Sequence, residues 1–352
     1  MPITMVNKKF LEFKNLQYDI VNKNFFTSSK YFRIINNLNG KFVSGNLTVV
    51  LGHKGCGKSE FFNLLTGYIN KKDKTNGIVL YDNKERNVKE WMNIVSYLPQ
   101  DNICFLRLTL LETLNYYSEF YNINLKERSI FLDKILKDCH IFYKKDMSID
   151  SLSFSERKRA MLCIAMLSKP EILFLDKFLT GLDSYNALLT IDSLKRYAKD
   201  LNAIVLLSAN QLEEGYFYLF DDLLYLTWKG IFYQGNIFKL KKWFFDNKIK
   251  KPDEISLVEF MYKITSKDNV IDEAKNSCNN VKENLNTNKT YIIHEKTKQC
   301  NNSFAVASWK INFKHIKILL YRNFILYYRS GLFWFAIFFR MIFLNLYFFC
   351  SQ

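Results

Sequence analysis

The sequence is poor in the residues that build metal centres and disulfide frameworks. It has seven cysteines without a Cys-x-x-Cys pair and four histidines that share no ligand spacing. Structural zinc sites take their ligands from closely spaced cysteines and histidines, so neither a zinc site nor a disulfide framework is expected. Unpaired cysteines are typical of a protein in a reducing compartment.

Acidic residues are also in the minority. Asp and Glu number 34 against 50 Lys and Arg, which gives a net charge of +16. An excess of this sign suits an anionic partner, either nucleic acid or a membrane surface. Apolar residues make up 49% of the chain, which excludes a largely disordered protein. No charged and then apolar leader opens the chain, and its first 19 residues are typical of an ordinary start with a strand.

Residues 48–65 carry the most informative pattern. An apolar run ends at Gly52, and four residues separate it from Gly57-Lys58-Ser59, the spacing of a phosphate-binding loop between a strand and a helix. Glycines bring backbone N–H groups to a phosphate, the lysine adds a positive charge, and the serine adds a hydroxyl ligand for Mg²⁺. The predicted nucleotide contacts in this loop are Gly52, His53, Lys54, Gly55, Cys56, Gly57, Lys58, Ser59 and Glu60. The alternative is a glycine-rich turn that binds nothing, but motif and flanking elements agree on a nucleotide.

A second stretch, residues 171–176, predicts a fully buried parallel strand. Its four apolar residues end at Asp176, and a carboxylate at the carboxyl end of such a strand is placed to hold Mg²⁺. Residues 203–207 predict another buried strand, and residues 223–233 predict a hairpin around Lys229-Gly230. Strands that alternate with helices indicate an α/β fold with a parallel sheet, here with an antiparallel β addition and a helical insertion between about residues 108 and 167.

Taken in order, five motifs resemble those of the nucleotide-binding domain of an ABC transporter. They are Gly52–Ser59, Tyr97–Asp101, the signature-like Leu152–Arg159, Ile172–Asp176 and Gly181–Ser184. Within that superfamily, further runs resemble the G subfamily, the white–brown-complex half-transporters. These runs are Leu110–Leu114, Glu156–Arg159, Leu219–Leu224 and Phe232–Gly235.

The resemblance implies a P-loop ABC ATPase domain that binds ATP with Mg²⁺. In the family two such domains meet head to tail, and each ATP lies between the phosphate loop of one chain and the signature of the other. Carried over by motif, Ser59, Gln100 and Asp176 hold Mg²⁺, and Gln100 senses the nucleotide. The signature and dimer residues are Ser153, Phe154, Ser155, Glu156 and Asp183.

Several positions depart from the family pattern. Lys177 replaces the glutamate that polarises the attacking water, and Asn210 replaces the switch histidine. Glu60 replaces a hydroxyl residue, and the signature reads Ser-Phe-Ser-Glu instead of Ser-Gly-Gly-Glu. Sequence drift without mechanistic meaning is one interpretation. Because the base, switch and signature positions all differ while the phosphate loop survives, we expect ATP binding with impaired hydrolysis.

The chain is predicted to have four segments. Residues 1–262 form the nucleotide-binding domain and 263–303 a polar linker. Residues 304–330 form an amphipathic connecting helix, and 331–352 a first transmembrane helix that looks truncated. Trp309, Phe313, Ile316, Leu320, Phe324 and Tyr327 recur on one face of the connecting helix. A helix docked on the core of its own domain is the alternative to one at a membrane interface. Cations before the apolar run place the nucleotide-binding domain in the cytoplasm.

The sequence therefore predicts the ATP-binding part of a G-subfamily membrane transporter for a lipophilic substrate. Its expected partner is a second half-transporter, in a homodimer or, as the altered site favours, a heterodimer, together with membrane lipid. The alternative is a regulatory subunit or truncated relic that binds ATP without hydrolysis beside an active half-transporter. A soluble ABC protein acting on nucleic acid is disfavoured, because no second nucleotide domain is present and an apolar run ends the sequence.

Overall fold

The computed structural model describes residues 8–22, 30–69, 73–100, 108–252, 254–266 and 313–328. The chain divides into two compact units. Unit 1 comprises residues 1–100 and 169–305, and unit 2 comprises residues 101–168 and 306–352. Unit 1 contains both sheets, and the described part of unit 2 is helical.

Strands and helices alternate along much of the described chain. The strands are β1 (Phe10–Asn22), β2 (Lys30–Val43), β3 (Leu47–Gly52), β4 (Lys74–Tyr81), β5 (Lys84–Glu85), β6 (Val95–Leu98), β7 (Ile172–Leu175), β8 (Ile204–Ser208), β9 (Asp222–Thr227) and β10 (Gly230–Asn236). The α-helices are α1 (Lys58–Thr66), α2 (Val88–Ile94), α3 (Leu110–Phe120), α4 (Leu125–Asp138), α5 (Phe154–Met166), α6 (Ser184–Asp200), α7 (Glu214–Phe217), α8 (Leu240–Asp246), α9 (Leu257–Ser266) and α10 (Phe313–Tyr328).

The larger sheet of unit 1 has the strand order β10-β9-β3-β8-β7-β6. Neighbours from β9 to β6 run parallel, and β10 joins β9 as an antiparallel hairpin. Every residue of β3, β7 and β8 is buried, as expected for parallel strands covered on both faces. The predicted parallel sheet and its hairpin are confirmed.

The smaller sheet is antiparallel, in the order β2-β1-β4-β5, and corresponds to the predicted β addition. Side chains of helix α1 pack against both sheets and so connect the core of the smaller sheet to that of the larger sheet. Phe61 contacts Phe13 of β1 edge to face with ring centroids 5.2 Å apart, and Phe62 contacts Phe174 of β7 at 5.3 Å. These buried rings fix the direction of α1 directly after β3, which is where the glycine-rich loop lies.

The described part of unit 2 consists of α3, α4, α5 and α10, with short 3₁₀ turns at Phe142–Lys144 and Ile149–Ser151. Capping boxes start two of these helices. Thr109 and Glu112 cap α3, and Ser153 and Glu156 cap α5. Both boxes follow the sequence pattern of a capping box, in which Ser or Thr is followed three residues later by Glu. Each box satisfies backbone N–H groups at the start of its helix. The residue at which α5 begins is therefore determined by its own local sequence.

Helix α10 lies within the predicted connecting helix. Its Tyr321 ring contacts Tyr116 of α3 with centroids 6.4 Å apart, and Ile318 is buried. The predicted apolar face is instead exposed: Leu320 and Phe324 retain 64% and 60% of their accessible surface, and Tyr327 is also exposed. This face is therefore not docked on the described core of unit 2.

Within the described residues, no helix combines the length and the apolarity needed to cross a bilayer. The predicted transmembrane segment 331–352 lies outside these residues, as do residues 267–303 of the predicted linker. Helix α9 extends to Ser266, four residues beyond the predicted domain end, because buried Ile264 and Thr265 continue its packing.

Candidate nucleotide site

The glycine-rich loop joins β3 to α1, and packing demands glycine at both of its ends. A Cβ atom at Gly52 would lie 2.1 Å from the carbonyl oxygen of Leu226 on β9, so any side chain is excluded there. Gly57, which precedes α1, has φ of 94°, in the left-handed region that favours glycine. The loop thus brings bare backbone up to the start of α1.

Lys58 is the centre of the loop. Its side chain is 3% exposed, and Nζ donates hydrogen bonds to the carbonyl oxygens of Gly52 (2.7 Å) and His53 (2.9 Å). The loop therefore wraps around an ammonium group. Burial lowers the pKa of Lys58, and the positive charge of Lys177 lowers it further against the opposing effects of Cys56 and Asp176.

The start of α1 is open to an anion. No side chain caps it at Gly57, so its first N–H groups lack the usual side-chain acceptor. The positive end of the helix dipole is directed the same way, which favours a phosphate group. Glu60 in the first turn adds a negative charge close to this position.

Asp176 lies at the end of β7 and is 4% exposed. Its Oδ1 accepts a hydrogen bond from the Ser208 hydroxyl at the end of β8. The Tyr97 hydroxyl of β6 also hydrogen-bonds this carboxylate, and burial followed by the charge of Asp176 raises the pKa of Tyr97. Its backbone N–H donates to the carbonyl of Leu98 at 2.9 Å. Two hydroxyl groups therefore hold this carboxylate in place at the end of β7, and a carboxylate oxygen is a suitable ligand for Mg²⁺.

The available donors fit Mg²⁺ only together with a phosphate. Mg²⁺ in nucleotide sites takes one or two protein oxygens and completes its octahedron with phosphate oxygens and water. Ser59 and Asp176 supply a hydroxyl and a carboxylate, and in the described residues no cluster of three His, Cys, Asp or Glu side chains forms a self-sufficient metal centre. This donor set matches a metal that arrives with a nucleotide.

Lys177 follows Asp176 in a left-handed conformation, with φ of 47°. Its N–H donates to the Ser208 hydroxyl at 2.8 Å, and its ammonium contributes to the electrostatic environment of Lys58. Asn210 follows β8, and its buried Oδ1 finds no hydrogen-bond partner among the described residues. The side-chain amide oxygen of Asn210 is thus unpaired at the position where the family pattern has the imidazole of a histidine.

The remaining predicted residues lie at element ends. Gln100 is exposed, two residues after β6. Asp183 caps α6 by accepting the N–H of Asn186 at 2.8 Å, and this hydrogen bond lowers the pKa of Asp183. The signature-like residues belong to unit 2, where the Phe154 ring is 47% exposed and lies 5.1 Å from Nζ of Lys158. Unit 1 brings together Lys58, Asp176 and Lys177.

Two contacts of the site were not predicted from the sequence. Ser208 holds Asp176 and Lys177, and Nε2 of His53 lies 2.8 Å from Oγ1 of Thr265 in α9. The His53 ring also meets Tyr262 edge to face at 5.2 Å. Ser208 occupies the last position of a buried apolar strand, which is a weak signal at best. Nothing in the spacing of the sequence links residue 53 to residue 265.

Comparison with known proteins places this site in a family. Residues 35–179 match the family described as ABC transporter. This part of the chain is an ABC transporter domain. Relatives of its ATP-binding domain include ABC transporter G family member 23 of Arabidopsis thaliana, which is 26% identical over 75% of this chain and 42% of its own length. ABC transporter G family member STR of Petunia hybrida is 29% identical over 64% of this chain and 28% of its own length.

A third relative comes from fungi. A probable ATP-dependent permease of Saccharomyces cerevisiae is 26% identical over 72% of this chain and 25% of its own length. The chain therefore spans well under half the length of these relatives. Its similarity to several G family members agrees with the resemblance to the G subfamily that the sequence motifs predicted.

Proposed function

We propose that this ABC transporter domain binds Mg·ATP at the loop 52–59 and hydrolyses it slowly, as the nucleotide-binding part of a G-subfamily membrane transporter. The observation that carries the proposal is Lys58, an ammonium group held inside its loop beside the buried side chain of Asp176. Such a loop at an uncapped helix start is suited to a triphosphate.

In the proposed complex, Lys58 neutralises the β- and γ-phosphates. Its hydrogen bonds to the carbonyls of Gly52 and His53 hold the loop in a shape that leaves the backbone N–H groups of the loop for phosphate oxygens. Ser59 and Asp176 hold Mg²⁺, and Gln100 completes its surroundings when the nucleotide is bound. Lys177 adds a second cation near the terminal phosphate, which favours the bound triphosphate.

Hydrolysis is impaired because Lys177 cannot act as a base. A protonated lysine carries three donors and no acceptor, so it takes no proton from water. General base catalysis contributes a factor of about 10²–10⁴, equivalent to about 3–5 kcal/mol of the barrier. Asn210, at the position of the switch histidine, cannot carry the positive charge of a protonated histidine. It therefore does not compensate for the missing base.

A second half-transporter is the proposed partner. Each nucleotide needs the signature of an opposing chain, and this chain offers Phe154 and Ser155 at the start of α5 in place of two glycines. A side chain there stands where a backbone should approach the γ-phosphate. We therefore propose a heterodimer in which the partner chain supplies a signature with the usual glycines. The proposed transport substrate of this heterodimer is lipophilic.

Membrane association of the whole protein is proposed on two grounds. The relatives named above include a permease and transporters of the G family, and α10 exposes Leu320, Phe324 and Tyr327. Exposed aromatic and aliphatic side chains on a basic helix suit the lipid headgroup region. The nucleotide-binding domain then lies in the cytoplasm.

A regulatory subunit is the second candidate function. Lys177 favours this function, because a cation at the position of the catalytic base would prolong the ATP-bound state. Such a subunit would bind ATP, close against an active half-transporter and contribute little turnover of its own.

Binding of a fluorescent ATP analogue to the detergent-solubilised full chain tests the proposal. We expect Lys58→Ala to lower the affinity at least about tenfold, a loss of about 1.4 kcal/mol. Lys84→Ala, which removes an exposed lysine of β5 in the same unit, is the matched control and should bind like the parent. Equal binding by Lys58→Ala and Lys84→Ala would refute the assignment of the loop.

A further inference from the structure

Three sulfur atoms lie together inside unit 2. Cys139 follows the end of α4, and Cys163 and Met166 belong to α5. Both cysteines are fully buried and Met166 is 4% exposed. Sγ of Cys139 lies 3.8 Å from Sδ of Met166, and the two thiols hydrogen-bond to each other. This group is separate from the nucleotide site, which belongs to unit 1.

A buried guanidinium accompanies the sulfur atoms. Arg159 is 4% exposed, its Nη1 donates to the carbonyl of His140 at 3.2 Å, and its charge acts on the Cys163 thiol. Its Nε is buried and has no hydrogen-bond partner within the described part of the chain. Proteins seldom leave a charged donor buried and unpaired, because the lost hydration is then not replaced. An anion at the sulfur group would remove this imbalance.

We propose that Cys139, Cys163 and Met166 form a binding site for a soft monovalent cation such as Cu(I). Thiolate and thioether sulfur atoms are the ligands that Cu(I) selects. In a trigonal site with metal–sulfur distances of about 2.3 Å, the sulfur atoms are separated by about 4 Å. The 3.8 Å between Cys139 and Met166 already matches this separation.

Charge selects the monovalent ion. Cu(I) bound by two thiolates has a net charge of −1, and Arg159 returns the buried group to zero. The reaction is balanced, since one Cu⁺ and two thiols give the anionic complex and two released protons. Zn²⁺ with the same thiolates would be neutral and would leave Arg159 uncompensated.

The number of available ligands also favours Cu(I) over Zn²⁺. Zn²⁺ in structural sites takes four ligands, whereas the described residues offer no third His, Cys, Asp or Glu beside the two thiols. A three-coordinate sulfur site is complete as it stands.

The test uses the full chain with Cys104, Cys278, Cys300 and Cys350 changed to serine, which leaves Cys56, Cys139 and Cys163. Cu(I) is supplied as its bathocuproine disulfonate complex, and the loss of the coloured complex measures transfer to the protein. We expect one Cu(I) per chain. Cys139→Ser and Cys163→Ser should each abolish this transfer, whereas Cys56→Ala should retain it.

Met166→Leu tests the thioether. Since even an outer-shell partner of a metal is worth 10–100-fold in affinity, we expect at least about a tenfold loss. Met161→Leu, at another buried methionine of α5, is the matched control and should bind like the parent. Equal affinities of the two methionine variants would overturn the proposal, as would undiminished transfer to Cys139→Ser or Cys163→Ser.

A variant could lose Cu(I) because it fails to fold. X-ray absorption of the Cu(I)-loaded parent avoids this ambiguity, because it needs no substitution of a proposed ligand. Three sulfur scatterers at about 2.3 Å are expected. A shell with nitrogen or oxygen ligands, or loading lost in Cys56→Ala, would place the metal elsewhere and overturn the assignment.

Discussion

The hydroxyl group of Ser208 donates a hydrogen bond to Oδ1 of Asp176. The Ser208 hydroxyl oxygen in turn accepts the N–H of Lys177 at 2.8 Å, so the end of β8 orients both residues that follow β7. Tyr97 of β6 holds the same carboxylate from the other neighbouring strand. Three adjacent parallel strands therefore fix the proposed Mg²⁺ ligand, and neither Ser208 nor Tyr97 needs to touch the nucleotide for this.

Ser208→Ala should weaken Mg²⁺-dependent nucleotide binding without abolishing it. Loss of the hydroxyl leaves the N–H of Lys177 without its partner and leaves Asp176 with Tyr97 as its remaining hydroxyl donor, which costs about 1–3 kcal/mol of folding stability. Ser118→Ala is a suitable control, because its buried hydroxyl donates to the carbonyl of Asn115 within α3 of unit 2. Titration of Mg²⁺ at fixed nucleotide should show a raised midpoint in Ser208→Ala alone. An unchanged midpoint would mean that Asp176 does not depend on this bond.

ATP turnover by the full chain is expected to be close to background. Lys177→Glu alone should raise it little, because Asn210 and the altered signature remain. The combination of Lys177→Glu, Asn210→His, Phe154→Gly and Ser155→Gly should recover measurable release of phosphate. Each single change provides the control for the combination. Robust turnover by the unmodified chain, abolished by Lys58→Ala, would show that another residue serves as the base.

The stability of the loop should depend on the protonation of His53. Burial lowers the pKa of His53 below its usual 6.5, and the charge of Lys58 lowers it further. Its stabilising contribution is therefore complete above pH 6.5 and is lost as the pH falls through the lower pKa of the folded state. The unfolding midpoint in urea, measured from about pH 7.5 to pH 5, should fall more steeply for the parent than for His53→Gln. Parallel curves would remove His53 from the pH response.

Exposed residues of α10 should contribute to membrane association. In the full chain, Leu320→Asp with Phe324→Asp should reduce binding to vesicles of phosphatidylcholine and phosphatidylserine, since the apolar face then carries two anions. Leu201→Asp, at an exposed leucine of unit 1, is the control and should leave binding unchanged. Flotation with the vesicles measures the bound fraction. Equal flotation of all variants would exclude α10 from the lipid contact.

The sequence alone determined the order of elements that make the site. The buried runs of β3, β7 and β8, the glycine spacing from Gly52 to Gly57 and the start of α5 at Ser153 are local patterns. Each depends on residues within one turn or one strand, so periodicity and capping chemistry define it. The departures at Lys177 and Asn210 are equally visible, because they concern residue type at a motif position.

Only the tertiary structure decided which side chains meet. Ser208 is 32 residues from Asp176 in the chain, and Thr265 is 212 residues from His53. These contacts arise because neighbouring parallel strands end side by side and because α9 returns beneath the loop. The group of Cys139, Cys163 and Met166 likewise exists only where α4 packs on α5. Contacts over such separations depend on strand order and helix packing, which no local spacing encodes.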